Sequence, residues 1–214
     1  MDRTLIVVNP KARDGRISET WPQREKEILR ALAGVNAEIF WTTSEDFGAR
    51  AVRNALVSGI QRIVVVGGDG TLTEALQGFF EKGVAIAPKA VLLIMPAGRG
   101  DDFFKTLANQ RFFRGQSAWN FALDVLEKGV PKKIDVGSLQ WLNDTPSPSR
   151  AFINIASFGY PGLVVHKVQA KEGYLAKTVL GKSAWAYVLQ GISAYREYRT
   201  LEMKVSVDET VFYQ

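Results

Sequence analysis

The sequence predicts an α/β fold: a parallel sheet with helices on both faces, followed by the start of an incomplete antiparallel, β-rich second domain. Two observations carry this reading. In residues 1–129, short and almost wholly apolar runs alternate with stretches of helical periodicity, the pattern of strands buried on both faces. In residues 130–214 that texture gives way to alternating segments, Pro/Ser-rich turns and one long helical stretch.

The elements follow in order. Leu5 to Val8 reads as a strand. Ser18 to Ala33 reads as a helix with Ile28, Leu29 and Leu32 on its apolar face. Ala37 to Trp41 is strand-like, and Asp46 to Val57 is helical with Val52, Ala55 and Leu56 inward. Ile63 to Val66 is a fully apolar strand, Thr71 to Phe80 a helix, and Val91 to Met95 a further apolar strand. Asp101 to Leu107 and Ser117 to Glu127 read as helices. Beyond Gly129, strands are expected at Lys133 to Leu142 and Ala151 to Ala156, around the loop Asn143 to Arg150. A long helix is expected over Tyr174 to Tyr198, then two strands, Thr200 to Val207 and Thr210 to Tyr213, about the turn Asp208-Glu209.

Composition narrows the chemistry. The 214 residues include no cysteine and a single histidine, His166. Disulfides, thiol catalysis, Cys-ligated zinc and multi-histidine metal sites are therefore excluded. The longest clean apolar run, Ala90 to Met95, is far short of the roughly 20 residues of a membrane helix. No apolar segment follows a basic start, so a cytoplasmic setting is expected. A net charge of +5 without a basic tail suits anionic ligands, while no nucleic-acid motif accompanies it.

Glycine-containing loops follow three of the apolar strands. Gly67-Gly68-Asp69-Gly70-Thr71 comes directly after Ile63 to Val66 and opens a helix. Such a loop brings backbone N–H groups and a positive helix end to a ligand, as phosphate requires. A carboxylate there needs a cation or a proton-handling role, which Asp69 would fill through Mg²⁺ or as a general base. The plainer alternative is a tight strand-to-helix turn with Asp69 or Thr71 as helix cap. A Walker A loop is excluded, because no Gly-Lys-Ser/Thr follows. The second loop is Pro96-Ala97-Gly98-Arg99-Gly100-Asp101-Asp102-Phe103. The third, Asn9 to Arg16, contributes the basic residues Lys11, Arg13 and Arg16. Loops at the carboxyl ends of parallel strands face one crevice, where open α/β sheets bind ligands.

These residues resemble the catalytic domain shared by diacylglycerol, sphingosine and ceramide kinases and related bacterial lipid kinases. Six motifs match in order: Asn9, Pro10 and Gly15; Thr43 with Ala49; Gly67 to Thr71 with Glu74 and Gly78; Pro96, Gly98, Asp102 and Phe103; Ile134, Asp135 and Gly137; and Phe152, Asn154, Ala156, Ser157 and Gly159. The resemblance implies ATP-dependent phosphorylation of a lipid hydroxyl with Mg²⁺, by a nucleotide-binding domain over 1–129 and a partial lipid-binding domain over 130–214. It implies that Asn9, Pro10, Lys11, Thr43, Gly67, Gly68, Gly70, Thr71, Glu74 and Gly98 contact the nucleotide and that Asp69 acts in catalysis. The lipid would enter from a membrane surface on which the protein sits peripherally.

The sequence departs from the family pattern at four places. Arg99 stands for a threonine, Asp101 for an asparagine, Thr73 for an asparagine, and Pro161-Gly162 for Asp-Ala. Members of that family are longer, so weak or absent activity is expected of these 214 residues. Open strand edges would leave room for a homo-oligomer. An NAD kinase-like enzyme shares the Gly-Gly-Asp-Gly loop and is one alternative; a non-catalytic nucleotide-binding module is the other. His166 reads as an exposed histidine. Trp185, Tyr187, Tyr195 and Tyr198 read as packing residues of a helix, as do the pairs Phe79-Phe80, Phe103-Phe104 and Phe112-Phe113.

Overall fold

The computed structural model describes residues 3–108, 117–141, 148–175, 184–200, 204–208 and 210–213. They form two compact units, Met1–Asn154 and Ile155–Gln214.

The first unit is built on a four-stranded parallel sheet of β1 (Arg3–Val8), β2 (Asn36–Trp41), β3 (Arg62–Gly67) and β6 (Val91–Pro96), in the order β2-β1-β3-β6. Its helices are α1 (Arg16–Ala31), α2 (Ala49–Val57), α3 (Asp69–Gln77), α4 (Asp102–Ala108) and α5 (Ala118–Lys128). Successive side chains on a strand point to opposite faces, so each central strand feeds two cores. Ile6, Val8, Val64 and Val66 join Ile28, Leu32, Trp21, Phe103, Phe104 and Trp119 on one side. Leu5, Val7, Ile63 and Val65 join Val52, Ala55, Leu56 and Ala75 on the other. An unbroken apolar run is thus what a strand covered on both faces requires.

The helix faces agree with the periodicity at Val52, Ala55 and Leu56, all buried. In α1 Ile28 is buried, as is Leu32 just past its end, but Leu29 is 37% exposed; Ile17 and Trp21 complete the inner face. Trp21 packs edge-on against Trp41 of β2. Two features escaped the periodicity: a 3₁₀ turn at Ala12–Gly15, and a two-residue hairpin of β4 (Phe80–Glu81) and β5 (Val84–Ala85). Neither is long enough to show a period. Phe103 and Phe104 pack inward as expected, whereas Phe112-Phe113 lies outside the described residues.

The first unit also holds an antiparallel pair, β7 (Gly137–Leu139) and β8 (Arg150–Phe152), much shorter than the strands expected there. Gln77 of α3 holds β8 at both polar ends of its amide. Its Oε1 accepts the Ala151 N–H at 3.0 Å and its Nε2 donates to the Ala151 carbonyl at 2.9 Å.

The second unit contains α6 (Tyr160–Leu175), α7 (Ala184–Glu197) and the antiparallel pair β9 (Val205–Val207) and β10 (Thr210–Tyr213). Where one long helix was expected from Tyr174 onward, α6 ends at Leu175 and α7 begins at Ala184; residues 176–183 lie outside the described set. Tyr160 and Tyr198 meet edge-on at 5.8 Å, and the Tyr160 hydroxyl donates to the Gly191 carbonyl at 2.8 Å. Tyr195 is 78% exposed rather than packed, and the side chains of Trp185 and Tyr187 lie outside the described set. His166 is exposed on α6.

One close approach fixes how α3 packs on α2. A Cβ on Gly78 would lie 2.4 Å from the Ala49 carbonyl oxygen and 2.7 Å from the Val52 Cβ. Both atoms belong to the rigid part of α2 and cannot swing aside. Gly78→Ala is expected to cost about 1–3 kcal/mol through overpacking, read as a fall in thermal midpoint. Gly70→Ala in the same helix, where a Cβ meets nothing within 4 Å, is expected to leave the midpoint unchanged or raised.

Candidate functional site

Parallel pairing in register sets the carboxyl ends of four strands side by side: Val8 opposite Trp41, Val8 opposite Val66, and Gly67 opposite Pro96. The loops that leave them therefore emerge on one rim. With strands about 4.8 Å apart, the row spans about 15 Å. Three of the four loops are tied at their first residues to a neighbouring strand. The Asn9 N–H donates to the Val66 carbonyl at 3.0 Å, the Ala97 N–H to the Gly67 carbonyl at 3.1 Å, and the Thr42 N–H to the Val8 carbonyl at 2.9 Å.

The loops after β3 and β6 touch backbone to backbone. A Cβ on Gly98 would sit 2.6 Å from the Gly68 Cα, and a Cβ on Gly68 would sit 2.9 Å from the Gly98 Cα. Any side chain at either position would part the loops. Above this contact, Asp69 bridges them. Its Oδ2 accepts the Asp102 N–H and its Oδ1 the Phe103 N–H, each at 3.0 Å. These are the first N–H groups of α4, which no residue of that helix can satisfy. The carboxylate also lies at the positive end of the α4 dipole, which offsets its charge. The plain alternative, Asp69 or Thr71 capping α3, does not hold: Gly68 occupies that position with no side-chain cap.

Asp101 completes the arrangement. It takes the N-cap place of α4, its carbonyl accepting the Lys105 N–H at 3.0 Å, with a left-handed φ of 51°. Its side chain turns back, and Oδ1 accepts the Gly98 N–H at 2.8 Å. Two acidic residues thus divide the labour of one capping motif. Asp69 satisfies the helix, and Asp101 closes the loop before it. Burial pushes the Asp101 carboxyl above the usual carboxylate range. The neighbouring Asp69 charge pushes the same way, against a downward pull from the Gly98 N–H, Arg13 and Lys105.

The remaining expected residues fall into place along the rim. The Asn9 Nδ2 donates to the Thr71 Oγ1 at 2.9 Å, and its Oδ1 accepts the Lys11 N–H at 2.9 Å. Asn9 thereby joins its own loop to the start of α3, with Pro10 and Lys11 just beyond it. Gly70 leaves open space where a side chain would be. The first intrahelical bond of α3 runs from the Leu72 N–H to the Gly68 carbonyl at 3.0 Å, so the N–H groups before it have no partner within the helix. Thr43 lies at the outer end of the row. Its hydroxyl accepts the Glu45 and Asp46 N–H groups at 3.2 and 3.0 Å and shapes the turn into α2. Glu74 faces β8, paired with Arg150.

Two basic residues of the loop after β1 line a cavity that spacing did not foresee. Arg13 and Arg16 line a cavity of about 200 Å³ with Arg24, Pro96, Ala97, Ser117 and Trp119. Arg24 stacks over the Trp119 ring at 4.2 Å, and the Trp119 indole donates to Glu27 at 2.7 Å. Neither Arg24 nor Trp119 stands in a glycine loop, so no sequence signal marked them.

The profile of the diacylglycerol kinase catalytic domain family matches residues 3–139. The chain is 27% identical over 214 residues to a diacylglycerol kinase of Bacillus subtilis strain 168, covering 99% of this chain and 62% of that protein. It is 25% identical over 210 residues to a diacylglycerol kinase of Staphylococcus aureus strain bovine RF122 / ET3-1, covering 98% and 58%. The crystal structure of a diacylglycerol kinase from Bacillus anthracis str. Sterne superposes with a TM-score of 0.61 at 25% identity, covering 100% of this chain and 61% of that one. The chain spans about three fifths of the length of these relatives.

Two outcomes follow from this geometry. Thr71→Val removes the acceptor of the Asn9 amide and is expected to cost about 1–3 kcal/mol in chemical denaturation, whereas Thr71→Ser retains the bond and the stability. For Asp101, a folded-state pKa above the unfolded one means that the folded state takes up the proton first as pH falls. The ionised carboxyl therefore costs stability at neutral pH, and that cost shrinks as pH falls below the folded value and is gone below the unfolded one. Asp101→Asn is expected to melt higher than the parent at pH 7, with the gap closing in acid.

Proposed function

Since the chain belongs to the diacylglycerol kinase catalytic domain family, we propose that it carries the nucleotide site of an ATP-dependent kinase that phosphorylates a lipid hydroxyl. The observation that supports this most is the single rim on which four loops meet, two of them in backbone contact. The triphosphate lies along Asn9, Pro10, Lys11, Gly67, Gly68, Gly70, Thr71 and Gly98. Open space at Gly70 and the N–H groups of the first turn of α3, which no carbonyl of that helix accepts, receive phosphate oxygens. Thr43 contacts the nucleotide at the outer end of the row. Glu74 acts from behind, through its pair with Arg150.

Asp69 is the catalytic carboxylate of this proposal. Each of its oxygens uses one lone pair on an N–H of α4 and keeps another for a substrate proton or a cation. Asp69 would hold Mg²⁺, whose bound form neutralises charge on the phosphates. Among the described residues no three acidic or imidazole groups gather into a metal cage. That suits an ion drawing most of its ligands from phosphates and water. Transfer then depends on positioning and on charge neutralisation rather than on covalent chemistry.

No helix among the described residues is long and apolar enough to cross a membrane. We place the protein at the cytoplasmic face of a lipid surface, reached peripherally, with residues 130–214 contributing to lipid binding. The test supplies labelled ATP, Mg²⁺ and vesicles containing diacylglycerol, with NAD as a competing acceptor. At most weak label in the lipid fraction is expected, falling by about 10²–10⁴ in Asp69→Asn; because the amide can accept only one of the two α4 N–H groups, a melting curve checks that the variant is folded at the assay temperature. Label only in NAD would assign the chain to a different kinase class. Tight ATP binding without any transfer, even when the chain is extended to the length of its relatives, would make it a nucleotide-binding module.

A further inference from the structure

The loop after β6 carries a departure from the family pattern whose physical effect the structure makes visible. Asp101 stands where the pattern has asparagine. Either residue offers an oxygen to the Gly98 N–H, and both tolerate the left-handed φ of 51° adopted here. Loop closure therefore survives the exchange, and what changes is the charge. An amide would be neutral; the carboxylate adds a negative group beside Asp69, in the wall that approaches Gly68. The charged groups acting on it are Asp69 from the loop after β3, Arg13 from the loop after β1, and Lys105 from α4. Asp102 follows it in sequence and lies 3.7 Å from the Lys105 ammonium.

We propose that Asp101 is a positioning residue with two separable effects on the nucleotide site. Its oxygen holds the Pro96–Asp101 loop against Gly68, and its charge lowers the affinity of the rim for phosphate anions below what an amide would give. The proposal rests on the reading that this rim holds a nucleotide. The two effects have opposite signs for binding, so two substitutions separate them. Asp101→Asn keeps the acceptor and removes the charge. Asp101→Ala removes both and frees the loop.

The experiment is equilibrium binding of ATP to the chain by calorimetry. It is run in EDTA, so that no divalent cation contributes, and at low and high salt. At low ionic strength Asp101→Asn is expected to bind ATP about threefold to tenfold more tightly than the parent, the effect of one like charge removed near the phosphates. At 1 M salt, where the Debye length is about 3 Å, that gain is expected to shrink toward none. Asp101→Ala, checked for folding by its melting curve, is expected to bind more weakly than Asp101→Asn at both salts. Should Ala not fold, Asp101→Ser supplies the neutral comparison with a shorter reach. An Asn variant no tighter than the parent, a gain indifferent to salt, or Ala (or Ser) and Asn variants of equal affinity would overturn the proposal. If the parent binds no ATP with or without Mg²⁺, the nucleotide reading itself has failed. If the parent binds and the variants do not diverge, only the role of Asp101 has.

Discussion

The contact between Gly68 and Gly98 is the constraint around which the site is organised. Two loops more than 25 residues apart approach until their Cα hydrogens face each other, and nothing larger than hydrogen fits between them. That approach lets Asp69 reach across the seam to the first N–H groups of α4. It also gives the turned-back Asp101 side chain its place, closing the second loop from within. Steric permission, a cross-loop carboxylate and an internal latch are thus one arrangement. A separation of the glycines would take the carboxylate from its donors and leave the helix end unsatisfied.

The sheet makes this approach reproducible. Central strands with side chains buried on both faces have no freedom to slip by one residue, because the two cores would exchange occupants. Val64 and Val66 belong to one core and Val65 to the other, and the same holds for Ile6, Val7 and Val8. Fixed register places Gly67 opposite Pro96, and the loops beyond them begin level. The rim is the consequence of packing far below it, as in open α/β sheets generally.

Much of this was legible residue by residue. The apolar runs at Leu5 to Val8, Ile63 to Val66 and Val91 to Met95 are strands, as their shortness and unbroken apolar character suggest for a parallel sheet covered on both faces. The inward face of α2 could be read from its 3.6-residue period. Leu29 departs from the expected inward face because a one-residue step on a helix turns about 100°, enough to leave the buried stripe. Beyond Gly129 the reading was poorer. Strands of three residues, such as β7 and β8, are held by partners such as Gln77 rather than by any alternation of their own. The helix over Tyr160–Leu175 has apolar and polar residues on all sides, and its sequence carries no clear period.

The sequence by itself determined which segments turn tightly, which run apolar, and which family's motifs they spell, because those properties are local or depend only on order along the chain. Tertiary structure alone decided what the side chains in those motifs do. Asp69 could have capped its own helix, and caps α4 instead, since the donors available to it lie 33 and 34 residues away. Asn9 meets Thr71 across 62 residues, and Arg24 stacks on Trp119 across a helix pair. Hydrogen bonds and charges act over a few ångströms, and only the folded register brings such distant residues within that range.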